Sequence, residues 1–158
     1  MKLKFFPYDS FTIESTATVA HLVSTLRQHI GRRSFWGRIE QELEGTATEG
    51  GFRVSRGINY HNSFLPIMIG RFEKQPDGTR VIVRMRLHDY TLTMMLLIFV
   101  IMVYLLVGLM KTDLLWAFGF PALVLVASYL MTIFGFSYEA EESRKILLDI
   151  LEGRQREP

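Results

Sequence analysis

The sequence predicts an α+β domain that carries a membrane α-helical hairpin and ends in a C-terminal amphipathic helix. Three observations predict it. Residues 90–110 and 114–138 hold no charged side chain over 21 and 25 positions. At 1.5 Å per residue they make helices of about 31 and 37 Å, against a hydrocarbon core of roughly 30 Å. Ahead of them, residues 80–88 alternate, with Val81, Val83, Met85 and Leu87 on one side and Arg80, Ile82, Arg84, Arg86 and His88 on the other. That is the period of a half-buried strand. Behind them, SYEAEESRKILLDILEG places Ile146, Leu147, Ile150 and Leu151 on one helical stripe, with acids at its start and Gly153 at its end.

Residues 1–89 read as the cytoplasmic α+β domain. LKFFPY is an opening strand. In STATVAHLVSTLRQHIG, Val19, Leu22, Val23, Leu26 and Ile30 share one helix face, with Ser15 or Thr16 as N-cap and Gly31 as stop. Four strand-like runs follow: FWGRIEQELE, GFRVSRGINY, SFLPIMIGRFEKQ and TRVIVRMRLHDY. The separators GTATEGG, HN and PDG are turn material, so the strands should form an antiparallel meander with the helix across one face. Pro66 suggests an edge strand or a bulge, because it cannot donate to a ladder.

Residues 90–138 are the hairpin, with Lys111, Thr112 and Asp113 as its connector and Pro121 as a kink in the second span. Residues 139–158 are the amphipathic helix and a frayed tail. Of 18 Lys and Arg residues, 13 precede the first span and one lies in the connector. The positive-inside rule then places both termini in the cytoplasm of a bacterial inner membrane. Termini on one side let the last helix return to the sheet, where it would cover the second face. The strand enters the first span with no Gly or Pro hinge, which would couple domain tilt to the bilayer.

NSFLPIMIG at 62–70, the turn GTR and the run VRMRLH resemble a family of small bacterial membrane proteins. That family carries an Asn-Ser-Phe-Leu-Pro strand, a Gly-Thr turn and a Met-Arg-Leu-His strand end before a transmembrane hairpin. The likeness spans about residues 50–100 and implies the same architecture but no activity. Its residues here are Asn62, Ser63, Phe64 and Pro66. Asn62 and Ser63 read as a turn closed by side-chain hydrogen bonds, and Phe64 as packing. A helix on an antiparallel sheet is also similar, at the level of fold alone, to START-like and bacterial PH-like ligand modules.

Catalytic, cofactor and metal signatures are missing. With no cysteine, disulfides and thiolate sites are excluded. His21 and His29 lack the i, i+4 spacing of zinc helices, and Glu40, Glu42 and Glu44 read as a solvated strand face. Neither span contains an ionisable residue, which argues against ion relays. Two surfaces remain. Arg84, Arg86 and His88 could touch anionic headgroups, while Pro121, Val124, Ser128, Thr132 and Gly135 form a small-residue face for helix packing or assembly. The function expected is a non-enzymatic membrane accessory or scaffold subunit, partnered by the bilayer and by a membrane protein or a second copy. Nothing points to nucleic acid. A ligand or lipid sensor with a pocket against Val19, Leu22 and Leu26 is the second reading, and a small oligomeric channel or membrane-disrupting effector the third.

Overall fold

Alternating apolar residues build the sheet in a computed structural model that describes residues 6–31, 41–60, 62–109, 118–151 and 154–156. Strand β1 (Tyr8–Ser15) is followed by helix α1 (Val19–His29) and the two-residue strand β2 (Ile30–Gly31). Strands β3 (Leu43–Thr48), β4 (Gly51–Arg56), β5 (Ile67–Gln75) and β6 (Gly78–Arg86) come next. Helices α2 (Asp89–Leu109) and α3 (Gly119–Ile150) and strand β7 (Arg154–Arg156) complete the order. Among the described residues they form one mixed sheet, β2-β3-β4-β5-β6-β1-β7. From β3 to β6 it is an antiparallel meander; β1 adds to β6, β7 to β1, and β2 runs parallel to β3.

The register puts most of the large apolar side chains on one face. Phe11 lies opposite Val83, Met85 opposite Met68, and Met68 opposite Val54. These residues are at most 3% exposed and share one core cluster with Leu43, Phe52 and Leu87. The opposite face carries Tyr8, Ser10, Arg84, Arg71 and Arg53, all exposed. One-residue slippage would exchange the two sets, so burial of a single face fixes the register.

Helix α1 starts later than the serine and threonine run suggests. Thr18 is the N-cap, its hydroxyl accepting from the His21 amide at 3.4 Å, and neither Ser15 nor Thr16 fills that role. Ser15 ends β1 and its hydroxyl accepts from the Ala17 amide, so it belongs to the turn. Val19, Leu22, Val23 and Leu26 are buried, and Arg27 reaches over to the carbonyl of Ala47 on β3.

The second apolar helix differs most from its sequence reading. No break separates a span from an amphipathic helix: α3 runs unbroken for 32 residues, about 48 Å. The acids at 139–142 therefore lie inside a helix and not at its start. The segment after Phe136 packs on the same sheet face as α1, and not on the second face. Phe136, Ala140, Leu147, Ile150 and Leu151 belong to the core that holds Leu22, Leu26, Ile13 and Val81. The physical reason is that this face carries most of the apolar side chains. Pro121 sits in the first turn of α3, where no intrahelical bond needs its missing N–H, so it does not kink the helix.

Other boundaries shift as well. The opening strand covers residues 8–15, beyond most of LKFFPY, whose first residues lie outside the described ones. FWGRIEQELE lies largely outside them too, and GTATEGG is half strand: β3 extends to Thr48, with Ala47 its inward residue. Pro66 precedes β5, a central strand, so its lack of a donor disturbs no ladder and marks no edge. The tail returns as β7 beside β1. The connector at 111–113 lies outside the described residues.

Both α2 and α3 are long and apolar enough to cross a membrane. Their apolar halves expose Leu96, Phe99, Tyr104, Leu123 and Met131, among others. Within the sheet, the closest packing lies over Gly70. A Cβ there would stand 2.1 Å from Cζ of Phe52, whose ring also meets Phe72 at 5.6 Å. Gly70→Val is expected to destabilise the domain by about 3 kcal/mol through overpacking, read as a lower thermal midpoint by circular dichroism in detergent.

Candidate functional site

The loop between β4 and β5 is where sheet and hairpin meet. Asn62 shapes it: its Oδ1 accepts from the Phe64 amide at 3.0 Å, an Asx-type turn that directs the chain back towards β5. The same side chain donates from Nδ2 to Oε1 of Glu139 on α3, at 2.8 Å. The next residue reaches the other helix, since the Ser63 carbonyl accepts from the Thr91 hydroxyl in the first turn of α2 at 2.9 Å. Phe64 then lies on Gly135 of α3, where any Cβ would come within 2.9 Å of its ring. Glycine here lets a loop aromatic approach the helix backbone. Pro66 is buried and leads the chain into β5.

Glu139 is the centre of this junction. It is 5% exposed, and its second oxygen accepts from Nη2 of Arg56 at the end of β4. Arg56 also donates to the Tyr60 hydroxyl at 3.1 Å. A carboxylate removed from water needs such donors, because its desolvation would otherwise outweigh any gain from packing. Five residues on, Arg144 of α3 pairs with Asp9 of β1 and lies 4.8 Å above the Phe11 ring. In the strand order β4-β5-β6-β1, α3 therefore crosses the two central strands and is pinned on either side. Two ion pairs of opposite polarity fix its rotation as well as its position, since turning the helix would bury both charges unpaired.

The small-residue face on α3 is used inside the molecule. Pro121 and Thr132 are buried, and Val124, Ser128 and Gly135 are half-buried. The Thr132 hydroxyl lies 2.7 Å from both the Ser128 carbonyl and Sδ of Met95 on α2. The carbonyl is the stronger acceptor, so the proton goes to the helix backbone and the sulfur gives packing. Ser128 donates to the Leu125 carbonyl in the same way.

The basic set near the start of α2 is not brought together with this junction. Arg86 pairs with Asp89, His88 is exposed with its Nδ1 accepting from the Tyr90 amide, and Arg84 points outward. Sequence reasoning placed Asn62, Ser63, Phe64 and Gly135 among its candidates but in separate groups, and it missed Arg56, Thr91, Glu139, Asp9 and Arg144. One signal was available. Of Glu139, Glu141 and Glu142, only Glu139 falls in the buried series Phe136, Ala140, Ser143 and Leu147, and an acid on an apolar stripe needs a partner.

Among the described residues no group of three His, Asp or Glu side chains could hold a metal ion. Compared with family models, curated proteins and solved structures, the chain matches none.

Proposed function

We propose that this chain is a non-enzymatic membrane subunit, an accessory or scaffold protein that presents a cytoplasmic domain in a fixed attitude beside a membrane partner or a second copy. In this reading it resides in a bacterial inner membrane with both termini in the cytoplasm, and α2 with the first half of α3 forms the hairpin. The observation that carries it is the locked junction. Three loop residues in succession, Asn62, Ser63 and Phe64, engage α3, α2 and α3 again. Such a joint transmits position and supplies no chemistry. It also gives the stretch that resembles the membrane family a structural task.

The other readings find less support. A sensor needs space between α1 and the sheet, yet Leu22 and Leu26 are 2% and 0% exposed and fill the common core. An open cleft of about 450 Å³ between the start of α1 and the β5–β6 turn reaches Val19 but neither Leu22 nor Leu26, and has Glu49 and Lys74 on its walls. A channel needs hydroxyls for its pore, and those of Ser128 and Thr132 bond to the helix backbone.

Native mass spectrometry of the protein extracted from its own membrane in mild detergent tests the proposal. A companion subunit at fixed stoichiometry, or a defined homo-oligomer, is the expected result. A lone monomer would overturn it, and a monomer retaining a small bound mass would favour the sensor.

A further inference from the structure

The open face of the sheet has an ordered arrangement of charge. Pairing sets Arg84 of β6, Ile69 of β5 and Arg53 of β4 in one row. The next outward row on the same face sets Ile82 beside Arg71. With strands about 4.8 Å apart, the backbones of Arg53 and Arg84 stand about 10 Å apart with Ile69 between them; Arg71 lies about 7 Å along the strand from Ile69. The three arginines are exposed and none forms an ion pair among the described residues, although Asp89 at the start of α2 lies within electrostatic reach of Arg53, whereas Arg80 pairs with Glu14 and Arg86 with Asp89. The hydroxyls of Ser10 and Thr12 border the patch on β1.

Its direction follows from α3. Because α3 is continuous, the half that packs on the core face lies in line with the half that would cross the bilayer. The sheet is therefore held against a helix that runs near the membrane normal, and its open face looks sideways. An anionic headgroup layer would meet the Arg86 end of the strands, where the charge is already paired. Screening over about 8 Å weakens its pull on Arg84, and more so on Arg71, while at Arg53 the carboxylate of Asp89 opposes it. What stands sideways of a membrane subunit is the cytoplasmic part of its neighbour.

We propose that this face docks an acidic cytoplasmic segment of a neighbouring membrane protein, with Arg53, Arg71 and Arg84 binding carboxylates around an apolar centre at Ile69. Guanidinium forks suit carboxylates in pairs, and Ile69 and Ile82 take an interposed aliphatic side chain. The assignment rests on the membrane-subunit reading and names its partner chemistry.

The test uses the full-length protein in phosphatidylcholine nanodiscs, titrated at roughly 0.1 M salt with a fluorescein-labelled peptide of Glu-Leu-Glu-Glu repeats. Saturable binding is expected. The Arg53→Gln/Arg71→Gln/Arg84→Gln variant should weaken it about tenfold, while the matching triple Lys variant keeps most of it. All three side chains face solvent, and an unchanged thermal melt confirms that each variant is folded. Binding that ignores the triple Gln change would overturn the proposal. So would tighter arginine-dependent binding of oligothymidylate, or of phosphatidylglycerol vesicles, than of the peptide. The titration needs no companion protein, so its failure leaves the subunit reading to be decided by the mass measurement alone.

Discussion

Glu139→Ala should lower the stability of the folded protein by about 3 kcal/mol, the low end of the range for breaking a buried ion pair. The loss has two sources. The Arg56 guanidinium would remain largely buried, its side chain only 17% exposed, with no counter-charge. The Asn62 amide would also lose its acceptor on α3. Arg56 keeps some contact with water and with Tyr60, which is why the low end applies. Glu139→Gln retains an oxygen for Asn62 and should fall between the wild type and the alanine variant. The paired change Arg56→Met/Glu139→Leu removes both charges and should recover most of the loss. Thermal unfolding in detergent by circular dichroism provides the comparison. If all three single and double variants melt together, the pair contributes nothing to the junction.

Leu147→Ala, one residue among many aliphatic ones at the end of α3, should cost about 3 kcal/mol. It is 0% exposed and shares a core with strands far away in sequence. Its value lies in contrast. Leu123→Ala, on the exposed side of the apolar half of the same helix, should leave the domain melt unchanged within about 0.5 kcal/mol. A free amphipathic tail would make the two substitutions equally mild, whereas a tail built into the sheet core separates them.

These two sites mark the limit of what the sequence discloses. The parity of β6 was legible residue by residue, because Val81, Val83, Met85 and Leu87 alternate with Arg80, Arg84, Arg86 and His88, with Ile82 the single apolar residue on the outward side. The apolar face of α1 was legible for the same reason. β1 was not, since DSFTIES has only Phe11 and Ile13 to point inward and its third inward residue is Asp9, an acid that is buried because Arg144 meets it. β3 was obscured by Gly45 and two threonines, which read as turn until a neighbouring strand pairs with them. The continuity of α3 was hidden by its own chemistry. Gly135, Ser137 and three acids look like the gap between two helices, yet no proline follows Pro121 within the helix and nothing forces a stop. The Arg56–Glu139 pair joins residues 83 positions apart, and no local periodicity reports such a partner.

The shared core also sets an order of events during synthesis. Everything that α3 adds to the sheet, from Phe136 to Leu151, leaves the ribosome after both apolar helices. On the proposed topology the first 88 residues wait in the cytoplasm with Met85, Leu87 and their neighbours partly uncovered until the hairpin has entered the bilayer and the chain has come back. Insertion then becomes a checkpoint for folding. A molecule that fails to insert keeps an open apolar sheet and is exposed to proteases and chaperones, so the cell would accumulate the finished domain only at the membrane.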